Sequence, residues 1–243
     1  MQLRAAALIL ASRGHGEHGS IARALTRDDG VQPGYVRGGA SRTIRPILQP
    51  GNSVIGNWRA RTGEQLAALT VELVHSRALL HGEPLAAAAL DWVTALTAMA
   101  LPEAQPYPQL YDALAATIDA IEVAPAARGW AAALVRYELL LLAELGFGLA
   151  LDRCVVTGVA DDLDFVSPRS GAAVSRGAAI GYEQRLFVLP RFARVGGGAE
   201  WPDIFAGLTI TGHFLARDIL VDRRTEPLAA RNRLVDRLKR AVA

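Results

Sequence analysis

The chain has 243 residues, 51% of them hydrophobic, so it is long enough to bury one large core or two modest ones. No apolar run reaches the roughly 18 uncharged residues that a membrane-spanning helix needs, and the N-terminal run is too short and too poorly flanked for a secretory signal. We therefore expect a soluble, cytoplasmic protein without a membrane partner. The single cysteine, Cys154, cannot form an intramolecular disulfide, which agrees with a reducing compartment.

Charge is distributed unevenly along the chain, although the net charge is only +2. Residues 1–77 carry ten basic and five acidic side chains, residues 78–216 carry eight and fifteen, and residues 217–243 carry eight and four, which gives +5, −7 and +4. The basic ends favour a polyanionic partner, and solvated surface charge is the alternative. All but one of the 26 basic residues are arginine, whose planar guanidinium suits phosphates and stacks on bases.

The first 75 residues alternate apolar and polar positions over short runs bounded by turns, which predicts β-strands. Five strands are expected, at residues 5–11, 20–26, 31–37, 53–61 and 66–74. In the fourth, Val54 and Trp58 share one face while Arg59 and Arg61 lie on the other. Five short strands with a glycine-interrupted loop predict a small closed or nearly closed barrel of the OB type over residues 1–77.

From Glu83 onward the apolar spacing becomes that of helices. Helices are expected at residues 85–100, 110–121, 130–145, 203–221 and 227–242. The third is apolar nearly all round and should lie at the centre of a bundle, ending at the break around Gly146. Residues 149–199 are glycine-rich with a weak hydrophobic period, which indicates a loop-rich insertion. The predicted fold class is therefore α+β, with an OB barrel followed by an α-helical domain over residues 78–243.

A segment that joins two predicted strands is the main candidate for binding DNA. It runs from Tyr35 to Pro46 and holds three arginines, Arg37, Arg42 and Arg45. Glycine lets a backbone approach a ligand closely, and arginine neutralises phosphates. The alternative interpretation of the segment is a flexible hairpin loop whose charges are solvated. Tyr35 and Trp58 are possible stacking platforms for bases, but the pattern favours a core position for both.

Metal sites and catalytic centres are poorly supported by the sequence. His15, Glu17 and His18 offer three polar groups in a glycine-rich loop, but no further ligands follow at a recognisable spacing. Around Cys154 the second thiolate of a zinc knuckle is replaced by Thr157, and the stretch 171–175 contains no Cys or His, so zinc is not expected.

Nucleotide and acyl chemistry also lack their motifs. No Gly-x-Ser-x-Gly stretch occurs, and a phosphate-binding Walker loop is excluded because the only lysine is Lys239. The acids Asp161, Asp162 and Asp164 favour a solvated loop over a cation site. The sequence therefore predicts a protein that is not an enzyme and has no cofactor.

The order of several short motifs resembles the RecO family of bacterial recombination mediators. The matching stretches are Gly14–Ser20 with Glu17, Leu25–Gly30, Tyr35–Gly38 with its trailing arginines, Leu48–Gly51, Arg136–Leu142, Leu145–Phe147, Cys154, Phe165–Pro168 and Gly171. The resemblance covers nearly the whole chain. It implies an OB-fold, a helical domain and a zinc-knuckle-like insertion that keeps its cysteines in some members and loses them in others. With one cysteine of the usual four, this chain resembles a zinc-free member.

The resemblance also implies a function. Members bind single- and double-stranded DNA, anneal strands coated with single-strand binding protein, and work with RecR to load RecA. The residues that the resemblance assigns to the DNA backbone are Arg37, Arg42, Arg45, Arg59 and Arg61. Arg136, with Leu140, falls where the family docks the acidic, apolar C-terminal tail of single-strand binding protein.

Two other functions are open at this level. A protein-only OB-fold adaptor would use the barrel as a docking surface, and a nuclease would use Asp161 and Asp164 with a metal ion. Clustering of arginines on one barrel face favours DNA, while even scatter favours the adaptor.

Overall fold

The structure is a computed structural model that describes residues 2–62, 65–124, 126–221 and 226–242. The predicted α+β class is confirmed, because a group of strands opens the chain and most of the helices follow it. The chain forms two compact units, Met1–Val123 and Ala124–Ala243. The domains predicted from the sequence, residues 1–77 and 78–243, divide the chain where strands give way to helices. This boundary is a different criterion from the compact units and stays a prediction.

Five strands form the sheet of the first unit. They are β1 (Gln2–His15), β2 (Gly19–Thr26), β3 (Gly30–Val36), β4 (Ser53–Arg59) and β5 (Ala68–His75). β1 pairs antiparallel with β2 and with β4, β2 with β3, and β4 with β5. β5 meets β3 at one parallel pair, Tyr35 with Ala68. The strands follow the cyclic order β1–β2–β3–β5–β4, with a narrow seam between β3 and β5.

The alternation of residues along the strands separates an apolar interior from a polar exterior. In β4, Val54 and Trp58 are buried and Arg59 is exposed, so the predicted faces of this strand are confirmed. The buried side chains of the interior are Ala7, Ile9, Ala22, Ala24, Val36, Leu48, Val54, Trp58, Ala67 and Leu69.

Two helices complete the first unit, α1 (Pro84–Ala100) and α2 (Pro108–Val123). Arg27 of the β2–β3 turn forms a bidentate ion pair with Asp112 of α2, with both N–O distances at 3.0 Å. Gly30 lies so close to the α1–α2 connection that a Cβ would sit 2.0 Å from the carbonyl oxygen of Gln105, and its φ is +71°. Only glycine fits this close approach with that backbone conformation.

The second unit is mostly helical. Its elements are α3 (Ala127–Leu142), β6 (Leu163–Val166), β7 (Ala173–Ser175), α4 (Arg176–Ala179), β8 (Phe187–Val188), α5 (Phe192–Val195), α6 (Trp201–Phe214) and α7 (Glu226–Val242). A π-helical turn follows α3, and Gly146 within it has a φ of +87°, so the predicted break at this glycine is confirmed. Another π-helical turn, Leu215–Ile219, extends α6 over most of the predicted 203–221 helix.

Residues 149–199 are more regular than the sequence predicts. They contain a three-stranded sheet in the order β7–β6–β8 and two short helices. The strands are two to four residues long, and an alternating pattern cannot be recognised over so few positions.

The helices α3, α6 and α7 meet around a buried ion pair. Glu138 of α3 accepts two hydrogen bonds from the guanidinium of Arg231 on α7, at 2.9 and 2.7 Å, and another from the Thr211 hydroxyl on α6. Arg231 also donates to the carbonyl oxygen of Leu208 at 2.8 Å. This bidentate pair fixes the three helices in one arrangement.

Candidate nucleic-acid interface

The arginine-bearing segment between β3 and β4 is packed against the sheet and is not a flexible hairpin. Within residues 37–52, here called the cap segment, the Arg45 N–H donates to the Ser41 carbonyl at 3.0 Å, as in a helical turn. Ile44, Ile47 and Leu48, spaced three and four positions apart, turn one apolar side toward the strand interior. The opposite side of the segment therefore faces solvent.

The three predicted arginines of the cap segment, Arg37, Arg42 and Arg45, are all exposed. Arg45 lines a groove of about 440 Å³ beside the β1–β2 hairpin, together with Ser12 and Gly39. A Cβ at Gly39 would lie 2.6 Å from the Ser20 side chain, so the close fit of the segment against β2 depends on glycine. The structure thus brings Arg45 next to the hairpin.

Asn52 holds the end of the cap segment in place. Its side-chain amide donates to the carbonyl oxygens of Pro46 and Ile47, at 2.9 and 3.1 Å. Its side-chain oxygen, Oδ1, accepts a hydrogen bond from the backbone N–H of Arg77 at 2.8 Å. A buried amide with these three bonds ties the segment to the chain that follows β5.

Arg77 forms the other half of this anchor. Its guanidinium donates to the Gly51 carbonyl and the Ser53 hydroxyl, at 3.1 and 3.2 Å, and pairs with Asp119 and Glu122 of α2. Although Arg77 contributes to the basic count of the first 77 residues, its charge is internal and does not face a ligand.

An outer row of five side chains crosses the sheet. Arg13 of β1 pairs with Ile21, Ile21 with Tyr35, Tyr35 with Ala68, and Ala68 with Arg59. Directly paired residues share a face, and neighbouring strands lie about 4.8 Å apart, so the row follows roughly 20 Å of the curved outer surface of the sheet. All five are exposed or half-buried. The row therefore places a tyrosine between two arginines on the outside of the sheet.

The two aromatic residues of this region have different positions. Trp58 is fully buried, as predicted. The predicted core position of Tyr35 is wrong, because the ring lies on the outside, half-buried, with the His15 ring at 5.9 Å edge to face. The outward position follows from register, since Tyr35 alternates with the buried neighbours Gly34 and Val36.

Some arginines of the first unit form ion pairs with carboxylates of the same unit, and others have no such partner among the described residues and are available to a ligand. Arg23, near the outer row, pairs with Glu103 and donates to the Ala98 carbonyl at 3.2 Å. In the described ranges, no carboxylate lies within ion-pair distance of the following arginines: Arg13, Arg37, Arg42, Arg45, Arg59 and Arg61. The sequence prediction missed Arg13, because the first strand was expected to end at Ala11 and extends to His15.

Arg59 and Arg61 lie at the end of β4. Arg59 belongs to the outer row, one strand from Ala68 and two from Tyr35. Arg61 lies in a bend after the strand and is exposed. The five predicted arginines thus lie in two places, three in the cap segment and two at the end of β4.

The predicted tail-docking residues lie on α3 in the second unit. Arg136 and Leu140 are one helical turn apart and share a face. Arg136 donates to the Gly197 carbonyl, and its guanidinium carbon lies 5.5 Å from the centre of the Phe192 ring. Leu140 is half-buried. The guanidinium is therefore already engaged by its own chain.

The surroundings of Cys154 do not fit a structural zinc ion. Its sulfur accepts hydrogen bonds from the Ser175 N–H at 3.3 Å and the Ser175 hydroxyl at 3.4 Å. Burial acts to raise the pKa of the thiol, but these bonds and those from Thr157 lower it to about 6. Hydroxyl groups occupy the positions where zinc requires Cys or His.

The other polar candidates remain separate. His18 lies 3.8 Å from Glu17, and both side chains are exposed. Asp164 pairs with Arg176 at 2.6 Å, which lowers its availability for a cation. Over the residues that the structure describes, no three His, Cys, Asp or Glu side chains come together to hold a metal ion. No helix in the described part of the chain is long and apolar enough to cross a membrane.

These features define an α+β protein with an N-terminal five-stranded sheet that carries unpaired arginines and a tyrosine on its outside. Comparison with known proteins identifies the group within that class. The family model described as "Recombination protein O N terminal" matches residues 1–77, and the model described as "Recombination protein O C terminal" matches residues 81–226. The chain belongs to the RecO family, as its motifs predict.

Relatives of known name agree with this assignment. The DNA repair protein RecO of Cereibacter sphaeroides is 44% identical over 99% of this chain and 100% of its own. The protein of the same name from Rhodospirillum centenum is 45% identical over 97% and 94%, and that of Jannaschia sp. is 44% identical over 100% and 98%. The family places this chain among proteins of DNA repair and recombination.

Proposed function

We propose that this protein binds DNA strands without sequence preference through the outer row and the cap segment. The observation that carries the proposal is the row itself, in which Tyr35 lies between Arg13 and Arg59. We further propose that the sheet is an OB-fold, whose strands 2 and 3 form a common face for oligonucleotides. The row crosses those two strands.

The chemistry of the surface suits single strands better than duplexes. Arginines neutralise phosphates in both, but an exposed aromatic ring adds stacking only where bases are unpaired. Three arginines lie within nine residues of the cap segment, and Arg13 and Arg59 lie on either side of Tyr35 in the outer row. This grouping of exposed arginines with an aromatic ring supports DNA rather than a protein-only adaptor.

Neutralised phosphates allow two strands to approach each other on one surface, which is the physical basis of annealing. We propose that the protein anneals complementary strands and, with RecR, helps load RecA onto single-stranded DNA coated with single-strand binding protein. In this scheme Arg136 and Leu140 receive the acidic, apolar tail of that protein. The DNA strands are brought together without covalent chemistry.

The first experiment measures binding of single-stranded DNA as a function of salt. The cap variant replaces Arg37, Arg42 and Arg45 by alanine and leaves up to three phosphates without a neutralising guanidinium. The plot of log K against log salt should therefore become less steep, by about 0.7 for each such phosphate. A matched variant replaces three exposed arginines of the second unit, Arg153, Arg191 and Arg194, and removes the same charge. Equal slopes for the wild type and the cap variant would remove the segment from the proposal.

A second experiment measures strand annealing with and without the cognate single-strand binding protein. Arg136→Ala should slow annealing of coated strands and leave annealing of bare strands unchanged. A variant that slows both reactions equally would show that Arg136 acts on folding or on DNA rather than on the tail.

A further inference from the structure

An apolar groove in the second unit is separate from the outer row, the cap segment and the Arg136 site on α3. It has a volume of about 500 Å³, within the range of pockets that hold small ligands or a few side chains. The apolar side chains along it are Val155, Val156, Val174, Ala178, Tyr182 and Leu186. Val155, Val156 and Tyr182 are each more than half exposed. Exposed apolar side chains grouped in this way are typical of interaction sites.

Two arginines, Arg169 and Arg185, also line the groove. Within the described residues neither guanidinium has a hydrogen-bond or ion-pair partner. Elsewhere in residues 149–199, Arg176 is paired with Asp164 and Arg153 donates to the Gly158 carbonyl. Of the arginines in residues 149–199 without a described side-chain partner, Arg169 and Arg185 lie where the apolar side chains are exposed, and Arg191 lies outside the groove.

We propose that this groove is a docking site for a short acidic peptide with adjacent apolar side chains, presented by a partner protein. The aliphatic side chains would take the apolar residues of the peptide, and the two guanidinium groups would bind its carboxylates as charge-assisted pairs. The lining favours a peptide over DNA. Six of the ten side chains that line the groove are aliphatic, and these suit the apolar side chains of a peptide better than bases, which stack on aromatic rings.

The groove differs from the predicted tail site on α3. Arg136 is bonded to the Gly197 carbonyl and lies over the Phe192 ring, whereas Arg169 and Arg185 carry no such partners among the described residues. A peptide could therefore bind the guanidinium groups of the groove without displacing hydrogen bonds that they make within their own chain.

The test measures binding of synthetic peptides by fluorescence anisotropy with the full chain. The probe is a labelled peptide with two aspartates followed by three leucines, and the reference peptides replace the aspartates by lysines or the leucines by glycine and serine. The probe should bind, and both reference peptides should bind at least tenfold more weakly. Affinity for the probe should fall as salt increases.

Variants locate the binding site. Affinity for the probe should fall at least tenfold in the double variant Arg169→Glu with Arg185→Glu, and also in the single variant Val156→Asp. The matched control, Arg191→Glu with Arg194→Glu, reverses the same charge outside the groove and should leave affinity unchanged. On titration, the amide resonances of Val155, Val156 and Tyr182 should shift. Thermal unfolding curves show whether each variant is folded.

Equal affinity for the three peptides would overturn the proposal. So would a loss of probe binding in Arg136→Ala that the groove variants do not show. A third contrary result would be groove variants that still bind the probe but no longer bind oligothymidylate. DNA binding by the cap segment is measured separately with the variant that replaces Arg37, Arg42 and Arg45. A failure of the groove and a failure of the proposed function are therefore distinguishable.

Discussion

Among the residues that the structure describes, each unit buries one arginine and leaves others in solvent, so arginine serves two different purposes in this protein. Arg231 in the second unit and Arg77 in the first are both about 5% exposed and bonded to acids of their own unit. Arg13 and Arg59 of the outer row lie at the surface with no described carboxylate in reach. Total positive charge is therefore a poor measure of the binding surface, since part of it holds the fold together.

The largest effect is expected at the buried pair of the second unit. Glu138→Gln leaves the guanidinium of Arg231 buried without its counter-charge, which costs about 3–5 kcal/mol in the free energy of unfolding. Urea unfolding checks this value. The control is the exposed pair in the same unit, where Asp164→Asn should cost at most about 1 kcal/mol.

This prediction also tests the division of the arginines. At temperatures where Glu138→Gln is still folded, it should bind single-stranded DNA as the wild type does. A loss of DNA affinity without a loss of stability would place Glu138 and Arg231 in the binding surface and would show that buried arginines also take part in binding.

The next effect is expected at the tyrosine of the outer row. Tyr35→Ala should weaken binding of single-stranded DNA by about 1–3 kcal/mol, because one base loses its stacking partner. Tyr35→Phe keeps the ring and should retain most of the affinity. Duplex binding should change little in either variant, and Tyr182→Ala in the second unit serves as the matched aromatic control. Equal losses for single strands and duplexes would assign Tyr35 to the fold.

Sequence patterns predicted most of the elements, because alternation and helical spacing are properties of neighbouring residues. The faces of β4 and the helix end at Gly146 are examples. Tyr35 was expected in the core because a large aromatic residue in a strand is usually buried, but register gives the core face to Gly34 and Val36. The helical spacing of Ile44, Ile47 and Leu48 was available to show that the cap segment is packed.

The outer row could not be predicted from the sequence, because it depends on pairing between strands that are distant in the chain. Arg13, Tyr35 and Arg59 are 22 to 24 positions apart in sequence and become neighbours only through the register of β1, β2, β3, β5 and β4. For the same reason, the sequence did not indicate that Arg77 is buried and paired with acids of its own unit. Its partners Asp119 and Glu122 lie more than forty residues away.

A smaller effect is expected at the anchor of the cap segment. Asn52→Ala removes three hydrogen bonds from a buried position and should lower the free energy of unfolding by about 1–2 kcal/mol. Because the amide fixes Pro46 and Ile47, the adjacent Arg45 should lose its defined position, and affinity for DNA should fall modestly. Urea unfolding and anisotropy measure the two effects. Gln49→Ala, one turn away on the same segment, is the control, and a smaller effect at Asn52 than at Gln49 would contradict the anchor.

The smallest effect at neutral pH is expected at Cys154, and its size depends on pH. The thiol pKa is lowered from 9.0 to about 6 by hydrogen bonds from Ser175 and Thr157, which outweigh burial. Between these two values the folded protein binds fewer protons than the unfolded chain, so the stability contributed by the thiolate increases as pH rises through this window and is lost as pH falls through about 6. The difference in unfolding free energy between wild type and Cys154→Ser should therefore grow with pH across the window. Because the chain has one cysteine, ultraviolet absorbance of the thiolate reports this group alone. An absorbance midpoint near 9, or a difference between the two proteins that does not vary with pH, would show that Ser175 and Thr157 do not stabilise the thiolate.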